Sequence, residues 1–282
     1  MRSPTAHLVL ALTLVGCRGY ARSEPPRDTV YDAFAIRFAT LPAFRVRNLI
    51  ADADTSRRLD IAMMLWALRA PDGKTVLVDA GFHREKFITQ WKPRDYQTPA
   101  EALRRAGVHP EDVTDIIVSH IHWDHADGVD LFPKARIWLQ LEEYNYYVGP
   151  SGEPLHQGID GDVSAMLRRL RQEGRVQLVD QPDAEILPGI RVHTGGKHTY
   201  ASQFASVHTS TGTVVFASDN AYLYENIERR VAIAQTLDAE SNLRAQGRML
   251  ELARTPQRVI PGHDPEVFSR FRAVQPGVAA IR

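Results

Sequence analysis

The sequence contains very little cysteine, since Cys17 is the only one among its 282 residues. A single thiol excludes a disulfide within the chain, and it leaves no cysteine-ligated metal site to build. The sequence also lacks an excess of charge of either sign, because 34 Lys and Arg residues balance 34 Asp and Glu residues. It shows no basic stripe interleaved with aromatic residues, so nothing indicates a nucleic-acid partner. These absences favour a small molecule as the partner.

The amino terminus differs from the rest of the chain. The apolar stretch at residues 8–15 follows Arg2, and it is too short for a transmembrane helix but typical of a secretion signal. Residues 14–17 resemble the lipobox of bacterial lipoproteins, in which cleavage before the cysteine leaves a thiol for lipid attachment. We therefore expect residues 1–17 to be a lipoprotein-type signal peptide. The protein would be exported and lipid-anchored at Cys17, on the periplasm-facing membrane or the cell surface of a bacterium, the alternative being a buried free thiol.

Residues 18–31 are polar, contain a Pro-Pro pair and have few apolar anchors, which is typical of an extended tether. The remaining residues, 32–282, show no internal repeat, and we expect them to form one domain. Short apolar runs alternate there with amphipathic helical segments, which favours a layered α/β fold over a helical bundle. The predicted strands include residues 61–68, 76–78, 116–118, 137–139, 176–179, 190–192 and 214–216.

Three helices and one hairpin have clear boundary residues. Residues 98–101, Thr-Pro-Ala-Glu, form a capping box with proline at the first helical position, and Gly107 is placed to end that helix. A second helix is predicted over residues 162–174, and a third over about residues 236–253. Gly212 lies between two apolar runs and predicts a β-hairpin.

The densest group of potential metal ligands directly follows the apolar run at residues 116–118. It reads His120-x-His122-x-Asp124-His125, and this pattern arises by chance in about one sequence in a thousand of this composition. His120 and His122 are two positions apart, so in an extended segment they point to the same side and can bind one ion. His198 is the best third ligand, because the two glycines before it let the backbone turn sharply toward the ion.

The remaining ligand candidates predict a second ion. Asp124 and His125 face away from the first pair and can bind another cation, with His263 completing the set. Asp219 supplies a carboxylate whose two oxygens can bridge ions about 3.5 to 4 Å apart. Each of these segments follows an apolar strand, so the ligands can converge on one edge of a sheet. Nitrogen and oxygen donors without thiolate favour two divalent ions, with Zn²⁺ as the first choice and Mn, Fe or Co as alternatives.

This order of ligands resembles the metallo-β-lactamase superfamily. Residues 76–81, Val-Leu-Val-Asp-Ala-Gly, resemble an early strand and turn of that family, and the resemblance spans about residues 60–264. It implies an α/β fold of four layers, an αββα sandwich, in which Asp79 supports the ligand loop. The metal ligands that it implies are His120, His122, Asp124, His125, His198, Asp219 and His263.

Residues 219–226 make the resemblance more specific. Tyr222 lies three residues after Asp219, the proposed bridging aspartate, and this spacing resembles that of the N-acyl homoserine lactone lactonases. The resemblance implies that Tyr222 contacts the lactone carbonyl, and that a hydroxide shared by two metals attacks the ester. Asp124 is the expected proton shuttle to the leaving alkoxide. Ser202 and Asp127 depart from the lactonase pattern, which commonly has a histidine and a glycine at these positions.

The leading hypothesis is therefore a dinuclear hydrolase that opens lactones, with N-acyl homoserine lactones as the first candidates. One alternative is another ester or thioester hydrolase on the same metal pair, similar to glyoxalase II. A second alternative is a non-catalytic lipoprotein that keeps its metal for stability. True β-lactamases resemble the chain in their histidines but lack the bridging aspartate found here at Asp219, so they match less well.

Overall fold

The computed structural model describes residues 29–282, so the predicted signal peptide, Cys17 and most of the predicted tether lie outside the described residues. Within this range the chain forms thirteen β-strands and eight α-helices. The strands are β1 (Asp32–Arg45), β2 (Arg58–Arg69), β3 (Thr75–Val78), β4 (Val113–Ile117), β5 (Arg136–Gln140), β6 (Val176–Val179), β7 (Asp183–Leu187), β8 (Ile190–Thr194), β9 (Gln203–Thr209), β10 (Gly212–Ser218), β11 (Val259–Pro261), β12 (Arg272–Gln275) and β13 (Val278–Ile281). The helices are α1 (Glu85–Trp91), α2 (Pro99–Arg105), α3 (Trp123–Ala126), α4 (Leu141–Tyr147), α5 (Gly161–Gln172), α6 (Tyr224–Arg229), α7 (Ala239–Ala253) and α8 (Val267–Arg270).

The strands form two mixed sheets. The larger sheet has the order β12-β13-β1-β2-β3-β4-β5-β6, and the smaller sheet has the order β11-β10-β9-β8-β7. Strands β3 to β6 pair in parallel, so their carboxyl ends lie at one edge of the larger sheet. The predicted hairpin is confirmed, because β9 and β10 pair antiparallel and Gly212, the first residue of β10, has a φ of 112°, which favours glycine.

Three apolar clusters separate four layers of secondary structure. The first cluster includes residues of both sheets, among them Trp66 and Phe216, whose ring centroids lie 5.8 Å apart. The second contains Leu103 of α2 and Leu167 of α5 together with residues of the larger sheet. The third joins Met249 of α7 to strands of the smaller sheet. Because each sheet buries side chains on both faces, each needs a helical layer outside it. The predicted αββα sandwich is confirmed.

The helix with the capping box is present as predicted. The Thr98 hydroxyl accepts the N–H of Glu101, and the Glu101 carboxylate accepts the N–H of Thr98 at 2.9 Å. The helix α2 ends at Arg105, and Gly107 follows it with a φ of 73°. Local hydrogen bonds therefore decide both ends of this helix.

The other two predicted helices are present with shifted starts. Asp160 caps α5 by accepting the N–H of Asp162, so the helix begins at Gly161. Asp238 caps α7, which begins at Ala239, a few residues later than predicted. In the described part of the chain, no helix is both long and apolar enough to cross a membrane.

Candidate metal centre

All seven predicted ligands lie at one edge of the molecule, where strands of both sheets end. Four lie in the loop after β4 and in helix α3, which continues that loop. Three follow the strands β8, β10 and β11 of the smaller sheet. The structure thus brings together residues that are far apart in the sequence. The four are His120, His122, Asp124 and His125, and the three are His198, Asp219 and His263.

Three histidines and Asp219 form a first group of ligand atoms. Nε2 of His120 and Nε2 of His198 lie 3.0 Å and 2.9 Å from Nδ1 of His122. Oδ2 of Asp219 lies 3.7 Å from Nε2 of His120 and 3.3 Å from Nε2 of His198. Three ring nitrogens and one carboxylate oxygen that converge in this way suit a four-coordinate cation.

Asp124, His125 and His263 form a second group, which Asp219 joins through its other oxygen. Nε2 of His125 and Nε2 of His263 lie 3.3 Å and 3.0 Å from Oδ1 of Asp219. Oδ2 of Asp124 lies 3.6 Å and 3.7 Å from the same two nitrogens. Nε2 of His125 and Oδ1 of Asp219 are buried and lack a hydrogen-bond partner among residues 29–282. Buried polar atoms are normally satisfied, so these two atoms fit a cation between them.

Outer hydrogen bonds orient the ligand rings. Nδ1 of His198 lies 2.7 Å from the carbonyl oxygen of Gln235, and Nδ1 of His263 lies 3.1 Å from the carbonyl oxygen of Ala62. Because a carbonyl oxygen only accepts, each Nδ1 must carry the proton and donate. In the neutral ring, the lone pair on Nε2 then faces the ligand groups, which is the form that a metal ligand needs.

Asp79 contacts both the ligand loop and His125 of the second group, which agrees with the supporting role that the resemblance predicted. Its carboxylate is fully buried and accepts from the N–H of Ser119 at 2.8 Å and from the hydroxyl of Ser218 at 2.8 Å. It also lies 2.8 Å from Nδ1 of His125. Asp79 has a φ of 57°, an uncommon backbone conformation that directs the chain into the turn after β3. One buried carboxylate thus connects β3, the ligand loop and β10.

Electrostatics divide the two groups. Burial lowers the pKa of His120 well below its usual value and lowers the pKa of both His122 and His198 to about 4. These rings are therefore neutral at pH 7, which is the form that binds metals. Burial also acts to lower the pKa of His125 and His263, but the carboxylate of Asp219 outweighs it and raises both pKa values. Nitrogen and oxygen donors of this kind, without thiolate, fit divalent cations such as Zn²⁺.

A cavity of about 200 Å³ opens onto both groups. Asp124, Asp219 and Tyr222 are among its polar lining. The Tyr222 hydroxyl lies 3.3 Å from Nδ1 of His198, and its ring is buried. Burial raises the pKa of Tyr222 well above its usual value, so the hydroxyl keeps its proton and can donate. The rest of the lining includes an apolar wall made of Leu41, Phe44, Leu49, Ile61, Trp91 and Trp123.

Trp123 both lines the cavity and packs against neighbouring aromatic rings. Its ring stacks on Trp91 at a centroid distance of 5.3 Å and on Phe87 at 4.8 Å. The ring centroid of Phe44 lies 6.4 Å from that of Trp91. The aromatic part of the wall therefore comes from β1, α1 and the start of α3, and it stands beside the ligand loop.

The two departures from the lactonase pattern lie beside the centre. Asp127 is fully buried, pairs with the Arg84 guanidinium and accepts the N–H groups of His83 and Arg84 at 2.8 Å and 3.0 Å. It thereby ties the loop before α1 to the end of α3. The Ser202 hydroxyl donates to the side-chain oxygen of Asn220 at 3.2 Å. Both residues stabilise loops around the ligands.

Sequence reasoning missed Glu143, which is fully buried in the first turn of α4. Its carboxylate accepts the N–H groups of Ile121 and Ala201, and burial raises its pKa to about 7. Acidic residues are common in the first turn of a helix, because their negative charge interacts favourably with the positive end of the helix dipole. The sequence pattern around Glu143 therefore contained no sign of a buried role.

The match to a known family agrees with this geometry. Residues 62–263 match the metallo-beta-lactamase superfamily. The match covers well over half of the chain, and the chain belongs to the metallo-beta-lactamase superfamily. The family that the ligand pattern predicted is thereby confirmed.

Individual relatives are similar over part of the chain. An N-acyl homoserine lactonase from a Bacillus species is 31% identical over 167 residues, which are 58% of this chain and 61% of that protein. The N-acyl homoserine lactonase AiiB from Agrobacterium fabrum is 29% identical over 154 residues, which are 49% of this chain and 54% of that protein. The chain thus spans about three fifths or less of the length of these relatives.

Solved structures share the fold over nearly their full length. A quorum-quenching N-acyl homoserine lactone lactonase aligns with a TM-score of 0.71 at 23% identity, covering 88% of this chain and 98% of that one. A mutant of Bacillus thuringiensis AiiA, with N-decanoyl-L-homoserine bound at its active site, aligns with a TM-score of 0.70 at 22% identity. That alignment covers 87% of this chain and 98% of the other. At these identities the likeness establishes the fold.

Proposed function

We propose that this protein is a metal-dependent hydrolase that opens lactone esters, with N-acyl homoserine lactones as the first substrates to test. The observation that carries the proposal is the pair of ligand groups joined by Asp219 at a cavity that Asp124 and Tyr222 also line. Relatives of about 30% identity that bear the name N-acyl homoserine lactonase support the same chemistry.

In this proposal the first group would hold one divalent ion and the second group would hold another, since one oxygen of Asp219 faces each group. Zn²⁺ is the first choice, because the donors are imidazole nitrogens and carboxylate oxygens. Two such ions, when bound, would supply Lewis acidity and lower the pKa of a water molecule toward neutrality, which would provide a nucleophile at physiological pH.

Tyr222 and Asp124 handle the charge and the proton of the reacting ester. Tyr222 donates a hydrogen bond to the lactone carbonyl oxygen, where negative charge develops during attack. Its raised pKa keeps the proton on the phenol. One oxygen of Asp124 faces His125 and His263. The other takes a proton from the attacking water and passes it to the alkoxide as the bond between the lactone carbonyl carbon and the ring oxygen breaks. The product is an open-chain hydroxy acid.

The apolar wall of the cavity supports a substrate with a hydrophobic substituent. Phe44, Trp91 and Trp123 present aromatic surface beside the polar ligand groups. A pocket with one polar side and one apolar side orients a ligand that has the same two parts. An acyl chain fits this description, with its lactone ring toward Tyr222.

The test is a panel of lactones, thioesters, β-lactams and phosphodiesters, assayed with the zinc-loaded protein from about residue 24 onward. We expect the highest rate for N-acyl homoserine lactones, with a dependence on acyl length that reflects the apolar wall. Turnover of thioesters alone would favour a glyoxalase II-like hydrolase instead. Zinc binding without turnover of any class would favour the non-catalytic alternative.

We further propose that the protein is exported and anchored through a lipid on Cys17. The support is the sequence of residues 1–17, which lie outside the described residues. Labelled palmitate should enter the wild-type protein in a bacterial host but not the Cys17→Ser variant, and the variant should leave the membrane fraction. Equal labelling of both proteins would contradict the proposal.

A further inference from the structure

Glu143 is a buried acidic side chain that the proposed mechanism does not use. Burying an ionisable group costs free energy unless hydrogen bonds compensate it, so the partners of Glu143 indicate its role. Oε1 accepts the N–H of Ile121 at 3.2 Å, and Oε2 accepts the N–H of Ala201 at 2.7 Å. Each carboxylate oxygen therefore contacts a different loop.

These two loops carry the three histidines of the first group. Ile121 lies between His120 and His122 in the loop after β4, and Ala201 lies three residues after His198 in the loop after β8. The two strands belong to different sheets. Glu143 thus connects the loop that carries His122 to the loop that carries His198. Nδ1 of His122 lies 2.9 Å from Nε2 of His198.

The second group has other supports. Asp79 contacts His125, and the carbonyl oxygen of Ala62 contacts His263, at 2.8 Å and 3.1 Å. Neither contact involves the loop after β8. A change at Glu143 therefore alters the geometry of the first group while these contacts to the second group remain.

We propose that Glu143 is a positioning residue that sets the separation of these two loops, and with it the affinity of the first group for its ion. The proposal rests on the proposed metal centre, and it is independent of which ester the protein hydrolyses. Metal sites tolerate only small changes in ligand distance, so a shift of one loop weakens binding. Substitution of residues that orient ligands typically lowers metal affinity about 10-fold to 100-fold.

A second set of hydrogen bonds connects the loop after β4 to the chain that follows the loop after β8. The protein should therefore still fold when Glu143 is substituted. The N–H of Gln203 donates to the carbonyl oxygen of Ser119 at 2.8 Å, and its side-chain amide donates to that of Val118 at 2.7 Å. These bonds hold β9 against the end of β4 independently of Glu143. We therefore expect Glu143→Gln to fold.

Glu143→Gln is the informative variant, because it keeps the size of the side chain and removes one acceptor. The new amide nitrogen is a donor that faces a backbone N–H, so one of the two loops loses its contact. Glu142→Gln is the matched control, since Glu142 lies on the same helix but is exposed. Zinc content is measured in the wild type and both variants after dialysis against a graded series of chelator. The absorption spectrum of the Co²⁺-substituted proteins provides a second readout of ligand geometry.

We expect Glu143→Gln to lose one of two ions at a chelator concentration about 10-fold to 100-fold below that of the wild type. The other ion should be retained as in the wild type, and Glu142→Gln should behave as the wild type. The same weakening should occur in a His263→Ala background, which leaves the first group, and should be absent in a His122→Ala background. Unchanged retention of both ions, or equal weakening of both, would overturn the proposal.

Glu143→Asp keeps two acceptor oxygens on a shorter side chain, so it cannot reach both loops at once. Glu143→Asp should lose the same ion at a lower chelator concentration than the wild type. If Glu143→Gln does not fold, this variant tests the proposal by the same measurement. A wild-type protein that binds two ions but opens no lactone would refute the proposed function and leave this comparison intact. A wild-type protein that binds no ion would refute the metal centre and the role of Glu143 together.

Discussion

His193 and the histidines of the candidate metal centre show two environments in which this molecule buries an imidazole ring. Each ring nitrogen of His193 has its own partner: Nε2 lies 2.8 Å from the Ser206 hydroxyl, and Nδ1 lies 3.4 Å from an Asp183 oxygen. In the candidate metal centre, Nδ1 of His122 faces the ring nitrogens of two other histidines. The first ring is satisfied by protein groups, whereas the cluster presents several acceptors to one point, which is the arrangement that a cation satisfies.

Burial and pKa do not separate these two environments. Burial lowers the pKa of His193 to about 4, as it does for His122 and His198. The difference lies in what the nitrogen atoms face. The number of ligand atoms that converge on one point is therefore a better guide to a metal site than the pKa of a single histidine.

The largest expected effect is the loss of metal when a converging ligand is removed. His122→Ala and Asp219→Asn should lower the zinc content, with Asp219→Asn affecting both ions because the Asp219 carboxylate lies close to both groups. Lactone turnover should fall by about 10³-fold or more, because the activated water is lost. Elemental analysis and initial rates measure these effects, with His193→Gln as the control that keeps both ions. Full occupancy of both sites in Asp219→Asn would refute the bridging role.

The next largest expected effect is a loss of turnover without a loss of metal. Tyr222→Phe should lower lactone turnover by about 10²-fold while two ions remain bound, because a donor to the developing oxyanion is lost. Tyr146→Phe is the control, since Tyr146 stacks between His156 and Tyr200 and does not line the cavity. The measurement combines steady-state kinetics with zinc analysis. Unchanged turnover in Tyr222→Phe would remove Tyr222 from the mechanism.

A glycine beside the bridging carboxylate tests how closely the ligands are packed. A Cβ at Gly262 would lie 2.6 Å from Oδ1 of Asp219 and 2.9 Å from the carbonyl oxygen of Ser218. Gly262→Ala should therefore displace Asp219, weaken zinc binding about 10-fold and destabilise the protein by about 1 to 3 kcal/mol. Thermal unfolding and chelator titration measure both changes.

Gly247→Ala in α7 is the control for that substitution. A Cβ there meets only the end of the Arg230 side chain, at 3.4 Å. Alanine favours a helix over glycine, so this variant should keep its zinc and gain up to about 1 kcal/mol of stability. Equal zinc affinity in the two variants would show that Asp219 can move without loss of binding.

The smallest expected effect concerns the satisfied ring. The pKa of His193 is lowered from 6.5 to about 4 on folding, so the unfolded chain binds more protons between these pH values. Stability therefore falls as the pH drops from 6.5 to 4. His193→Gln should remove about 1 to 2 kcal/mol of this pH dependence. Urea unfolding of the metal-free wild type and variant at pH 7, 5.5 and 4.5 measures it, and parallel curves would contradict the assignment.

Part of the fold was missed for a physical reason. The strands β1, β7, β12 and β13 were not predicted, and β1 is the clearest case. Ala35 and Ile36 are neighbours in β1, yet both are fully buried because they face different apolar clusters. A strand covered on both faces lacks the alternation of polar and apolar residues that identifies a strand in a sequence.

The order of residues along the chain was enough to predict the family, the αββα fold and the seven candidate ligands that the structure brings together. Metal coordination restricts donor types and local spacing, and both are visible in His120-x-His122-x-Asp124-His125. Only the folded chain revealed that Glu143 joins Ile121 to Ala201, or that β1 and α1 build the wall of the cavity. Those contacts connect residues far apart in the chain, and their side chains carry no local pattern that specifies a distant partner.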